Sequence, residues 1–149
     1  MKKTIISLIF FLFSTLLYAQ KQLSKTEQSV QQTVVKLFEA LSNRDSVSLK
    51  NYSTADITLY EYCQIWNVDT LIMKAVTLNQ AADFKRTNTF DFTNTTTDKT
   101  MAWVTYRLQS AITRDGKQST VQWLETVVLA KEKKQWKVKH LHSTLIKRG

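Results

Sequence analysis

The hydrophobic pattern of this chain changes period once, from helical spacing to alternation. Val30, Val34, Leu37, Phe38 and Leu41 recur at three- and four-residue intervals, which predicts an amphipathic helix over 25–42. Ser24-Lys25-Thr26-Glu27 has the spacing of a capping box at its start. Asp45 can cap a second, short helix running through Leu49 to Tyr52. From Asp56 to Trp66 the pattern has a period of two. Ile57, Leu59, Cys63 and Ile65 hold one parity, interrupted by Glu61, while Tyr60, Tyr62 and Trp66 hold the other. Apolar bulk on both parities predicts one strand covered on both faces, with Cys63 buried. Asp69 can cap a third helix over 70–78.

The remainder reads as strands. They are expected over 82–92, 100–113, 120–130 and 135–146. The segment after the first, TNTTTD, suits a loop as well as a strand. Arg114-Asp115-Gly116 predicts a tight hairpin in which Gly116 supplies a positive φ, and the KEKK run turns into the last strand. Helices followed by an antiparallel meander define an α+β class, and with no repeat or linker visible, residues 20–149 read as a single domain.

Residues 1–19 stand apart. Lys2 and Lys3 precede an apolar run, Ile5–Leu17, and Tyr18-Ala19-Gln20 offers a cleavage site after Ala19. That is the pattern of a secretory signal peptide, and the run is shorter than the roughly 20 residues needed to span hydrocarbon. The expected location is therefore the periplasm or the exterior, with no membrane attachment after cleavage.

Composition prunes the functions open to the chain. There is no proline, and apart from the terminal Gly149 the only glycine is Gly116, so phosphate-cradling loops and dinucleotide fingerprints are absent. Cys63 is the only cysteine, so no intrachain disulfide can form. The formal net charge is +9, and the basic residues crowd the last third. Lys137 and Lys139 alternate there with Trp136 and Val138, which describes a solvated sheet face; no nucleic-acid motif accompanies them.

Both histidines, His140 and His142, lie two apart on the last predicted strand and would share a face. A catalytic zinc needs at least three protein ligands, and no spacing nominates a third, so neither a metal nor a cofactor is expected. Arg107-Leu108, Glu125-Thr126 and the closing Trp136, Val138, His140, His142 series resemble the nuclear transport factor 2-like superfamily, which includes the SnoaL-like cyclases. The local likeness is strongest to the association (hub) domain of calcium/calmodulin-dependent kinase II. In that family an arginine follows the Glu-Thr pair and a basic residue can follow the second histidine; Val127 and Ser143 stand there in this chain.

The resemblance implies a cone: N-terminal helices packed in a curved, mostly antiparallel sheet, with a cavity at one end and a homodimer through the outer face. It implies a small-molecule-binding protein whose ligand is a small organic molecule, with organic anions among the candidates. Arg107 would orient the ligand's polar group, Glu125, His140 and His142 would be polar contacts, and Tyr60, Trp66 and Trp123 would be aromatic lining. The alternatives it implies are an isomerase, dehydratase or cyclase with a pocket His or Asp as base, and a homodimeric interaction module with an unused pocket.

Overall fold

Side-chain caps fix where the first helices begin. The computed structural model describes residues 22–149, so the expected leader over 1–19 lies outside the described residues. Helix α1, Lys25–Ser42, starts where Ser24 Oγ accepts from the Glu27 amide at 3.2 Å and the Ser24 amide donates to Glu27 Oε2 at 2.7 Å. Helix α2, Ser46–Asn51, is capped by Asp45, which accepts from the amides of Val47 and Ser48. Both helices are where the pattern places them.

The expected strand over 56–66 is instead a hairpin. Strand β1, Ser53–Glu61, turns through Tyr62 and Cys63 into the short β2, Gln64–Trp66. Tyr62 and Cys63 take left-handed conformations, φ 48° and 59°, in a turn without glycine, so the usual hairpin signal is missing. Cys63 sits at the tip and is exposed, not buried. The third helix is also shifted. Helix α3, Val68–Ile72, is capped by Asn67, not Asp69, and runs into a π-helical turn, Met73–Thr77.

Strand β3, Lys85–Thr97, absorbs the Thr/Asn-rich segment as strand. Strands β4 (Met101–Arg114), β5 (Lys117–Glu132) and β6 (Gln135–Arg148) follow as a meander, with Asp115 and Gly116 in the β4–β5 turn. The sheet order is β2-β1-β6-β5-β4-β3, antiparallel throughout except where β1 lies parallel to β6. The chain between β1 and β6 runs through all the intervening elements, β2 to β5, and so supplies the long connection that parallel neighbours need.

The curled sheet wraps α1, which packs against β3, β4 and β6. Val30, Val34, Leu37 and Phe38 of α1 meet Val104, Tyr106, Val127, Leu129, Val138 and Leu141 in one core. Phe38, Phe90 and Phe92 surround Tyr106 with ring centroids 5.3–6.3 Å apart. A buried ring of this kind contributes about 1.5–3 kcal/mol through the area it removes from water.

One irregularity in β6 decides which side chains face inward. Val128 pairs with His140 and Leu129 with Val138, leaving Lys139 as the extra residue of a β-bulge. Upstream, Trp136 and Val138 point into the core; downstream, Leu141 is the next buried residue. The parity therefore flips, sending His140 and His142 to the outer face and Ser143 inward. Lys139 itself pairs with Asp56 at 2.6 Å.

Candidate functional site

Inward alternation at the wide end of the cone brings one polar residue from each of five strands to a single place. These are Glu61 at the end of β1, Arg86 on β3, Tyr106 on β4, Glu125 on β5 and Ser143 on β6. Phe38 and Leu41 of α1, with Trp66, Leu71 and Trp123, wall a cavity of about 220 Å³ into which Glu61, Arg86 and Glu125 project. Tyr62 of the β1–β2 turn, Lys74 and Ala75 of the π-helical turn, and Arg114 at the end of β4 also line it.

Arg86 is the most firmly held member. Its Nε donates to Asn88 Oδ1 at 2.9 Å and to Ser110 Oγ at 3.2 Å. Ser110 Oγ donates to the same Asn88 oxygen at 2.7 Å, and Asn88 Nδ2 donates to Ser42 Oγ at 2.8 Å, tying β3 and β4 to the end of α1. The guanidinium lies 5.5 Å from both the Phe38 and the Trp123 ring centroids, a cation held between two aromatic faces. Its Nη groups donate to no acceptor among the described residues, and no carboxylate stands at ion-pair distance. Burial pulls its pKa down, opposed by the charges of Glu125 and then Glu61.

The carboxyls are held in an unusual protonation range. Burial, reinforced by the charge on Glu125, raises Glu61 from 4.5 to about 7. Ser143 and Arg86 pull against that rise. Glu125, only 2 % exposed, is also raised by burial, opposed by contacts with Tyr106 and Ser143 and by the charge of Arg86. Ser143 Oγ donates to Glu125 Oε1 at 2.8 Å. Burial and the neighbouring Glu125 charge keep the Tyr106 phenol neutral well beyond its ordinary range. Tyr106 Oη and Glu125 Oε2 are both buried and make no hydrogen bond of ordinary geometry, but the two groups are near enough to act on each other's ionisation.

The residues singled out from the sequence divide between the two sides of the sheet. Glu125, Trp66 and Trp123 line the cavity. Arg107 does not: β4 alternation puts it outside, opposite Asp91, in a separate cleft of about 320 Å³ with Gln109 and Gln122. His140 is on the outer face, its Nδ1 2.9 Å from Thr58 Oγ1. Tyr60 packs against both histidines, with centroids 5.1 and 5.9 Å away. Tyr60 and His142 line a cleft of about 380 Å³ where β1 and β6 part, and this cleft shares Glu61, Tyr62 and Trp123 with the cavity. No histidine or aspartate lines this cavity: the bulge turns His140 and His142 toward the outer face, His142 lines the adjoining cleft instead, and the acidic lining of the cavity consists of Glu61 and Glu125.

Glu61 and Arg86 were absent from the sequence-based set, although both left a signal. Each is a charged residue in the apolar parity of its strand, Glu61 after Ile57 and Leu59, Arg86 between Phe84 and Phe90. A charge at a core-facing position marks a candidate site. Among the described residues no group of three or more His, Cys, Asp and Glu side chains is arranged to hold a metal ion.

A curled sheet around N-terminal helices, with a polar cluster at the open end, defines the cone-shaped nuclear transport factor 2-like class. The SnoaL-like domain matches residues 30–146, and the chain belongs to that family within the nuclear transport factor 2-like superfamily. The hub homology domain of calcium/calmodulin-dependent kinase II from Chlamydomonas reinhardtii is similar in structure, with a TM-score of 0.72 at 20% identity over 82% of this chain and 99% of that one. A ketosteroid isomerase-like protein from Erwinia carotovora superposes with a TM-score of 0.68 at 13% identity, covering 84% and 99%. A nuclear transport factor 2-like protein from Cytophaga hutchinsonii gives 0.69 at 14%, covering 83% and 100%. These likenesses concern the fold. No curated protein matches the chain in sequence.

Proposed function

We propose that this is an exported binding protein that holds a small organic anion in the cone cavity, with Arg86 as its anchor. One observation carries the reading: a half-buried guanidinium, fixed through Nε and clamped between Phe38 and Trp123, keeps its Nη groups free of protein partners beside the cavity. Fixing a desolvated cation in advance lowers the ordering cost of binding a carboxylate or similar group, and two Nη donors suit bidentate capture. Trp66, Leu71 and Trp123 would cover the ligand's apolar body, and about 220 Å³ restricts it to a compact molecule. Export rests on the leader pattern of 1–19. Native mass spectrometry of protein recovered from its own host tests the reading. A retained small anion, lost in Arg86→Met, is expected; ligand-free protein that also gains no thermal stability from a panel of organic acids would count against it.

A second reading has its own support. A carboxyl held at about 7 beside the cavity has the protonation balance of a general base. The Tyr106 phenol, kept in its neutral form by burial, would be a donor for a developing oxyanion. Deuterium uptake α to the carbonyl of small cyclic ketones, abolished in Glu61→Ala, would favour this enzyme over a binding protein. A homodimer through the outer sheet face is the expected assembly for either. Trp103, Leu124 and Ile146 stay 43–52 % exposed there, and light scattering of wild type against Trp103→Glu would test their role.

A further inference from the structure

The wall of the cone is interrupted between β1 and β6. Their parallel pairing ends at Tyr60 and His142, because Tyr62 and Cys63 turn the chain back into β2. Strand β6 runs on to Arg148, and among the described residues only β5 pairs with that last stretch. The cleft of about 380 Å³ left there is lined by residues of both parities. Tyr60 and His142 belong to the outer face of the sheet, whereas Glu61, Ser143 and Trp123 belong to the inner one. An opening walled by both faces is a slit through the sheet, not a hollow on its surface. Glu61, Tyr62 and Trp123 line the cavity as well, so slit and cavity meet at these three side chains.

The two spaces differ in chemistry. Arg86, Lys74 and Arg114 line the cavity against two carboxyls, Glu61 and Glu125, so its lining is net cationic whether those carboxyls are protonated or not. Among the described residues none of the three cations has a carboxylate at ion-pair distance. The surface exposed in the slit is almost wholly apolar, with Tyr60, Tyr62, Cys63 and Leu145 standing on it. Tyr60, Tyr62 and Leu145 remain 41–50 % exposed, area that a bound chain would remove from water. The slit opens from the spacing of two paired strands, about 5 Å, and so is narrow where it starts, which suits an unbranched chain over fused rings. Arg148 Nη2 donates to Tyr62 Oη at 2.9 Å and ties the hairpin to the end of β6, limiting how far the slit can spread.

From this geometry we propose that the ligand is an unbranched carboxylic acid of medium chain length, its carboxylate paired with Arg86 in the cavity and its alkyl chain running past Trp123 into the β1–β6 slit. This rests on the reading of the cavity as an organic-anion site. The cavity takes the compact carboxylate end, and the slit takes the rest.

The test is calorimetric titration with butyrate, hexanoate, octanoate and decanoate, with octanamide as the uncharged counterpart of octanoate. Wild type is expected to bind these acids with a Kd that falls by up to about fourfold per added methylene, the value for taking one CH₂ out of water. Octanamide should bind about tenfold or more weakly than octanoate, for want of a charge-assisted pair with Arg86. Leu145→Asp sets a charge in the slit at a position already 43 % exposed, and should flatten the chain-length series. Octanoate should also slow the alkylation of Cys63 by iodoacetamide, whereas butyrate, too short to reach the slit, should not. A flat series in wild type, a series unchanged in Leu145→Asp, or Cys63 alkylated equally fast with octanoate bound would overturn the slit as the chain's site while leaving the anion site intact. Octanamide binding as tightly as octanoate would instead remove the anion site, and failure of every acid to bind would remove both.

Discussion

Replacing Glu61 by glutamine should stabilise the protein, and the gain should depend on pH in a fixed direction. In the unfolded chain this carboxyl ionises near 4.5; in the fold it ionises at about 7. Between those values the folded state holds a proton that the unfolded state has released, so stability falls as pH rises through the window, and the full cost is present above 7. At about 1.4 kcal/mol per pH unit separating the two values, the ceiling is about 3.5 kcal/mol. Contact with the open cleft screens part of this, so about 1.5–3 kcal/mol is a reasonable expectation. Glutamine keeps the shape and a donor for Ser143 but carries no charge. Urea unfolding at pH 5 and pH 8.5 should therefore show near equality at the lower pH and a more stable variant at the higher. In a thermal scan the gain corresponds to about 5–9 °C at roughly 3 °C per kcal/mol for a domain of this size. If wild type is equally stable at both pH values, or if Glu61→Gln is weaker than wild type at pH 8.5, the account of a buried, unfavourably ionised Glu61 is wrong.

Three other outcomes follow from the same geometry. Arg86→Met should abolish binding of organic acids measured by calorimetry, whereas Arg107→Met, on the outer face, should change their Kd less than about twofold, well inside the several kcal/mol that a buried charged hydrogen bond can supply. Asn88→Ala should cost about 2–3 kcal/mol in denaturant unfolding, because it strips partners from Ser110, Ser42 and the buried Arg86 Nε at once. Cys63, at the exposed tip of the β1–β2 hairpin, should react stoichiometrically with a thiol reagent in the native protein; protection until unfolding would contradict the hairpin.

The first two helices were legible because their signals are local. A capping box, an Asp cap and a run at three- and four-residue spacing each specify their own few residues. The strands were legible as strands for the same reason. What the sequence hid was facing. Arg107 and Arg86 are both strand arginines, and only the pairing of β3 with β4 shows that one looks out and the other in. The Tyr62–Cys63 turn was invisible because neither residue is a usual carrier of positive φ, so a hairpin was read as a straight strand. The parallel β1–β6 contact joins residues more than eighty positions apart, Tyr60 with His142, and that contact sets Glu61 beside Ser143. Local patterning carries no trace of it.

The bulge at Lys139 has a consequence for how relatives are compared. A strand has a reading frame of two, and one inserted residue shifts everything beyond it into the other frame. Two proteins can then align letter for letter along Trp136, Val138, His140 and His142 while presenting different side chains to their cavities. Ser143 serves Glu125 here only because Lys139 is looped out. In this chain, a residue's role in the closing strand follows from the bulge, not from the motif.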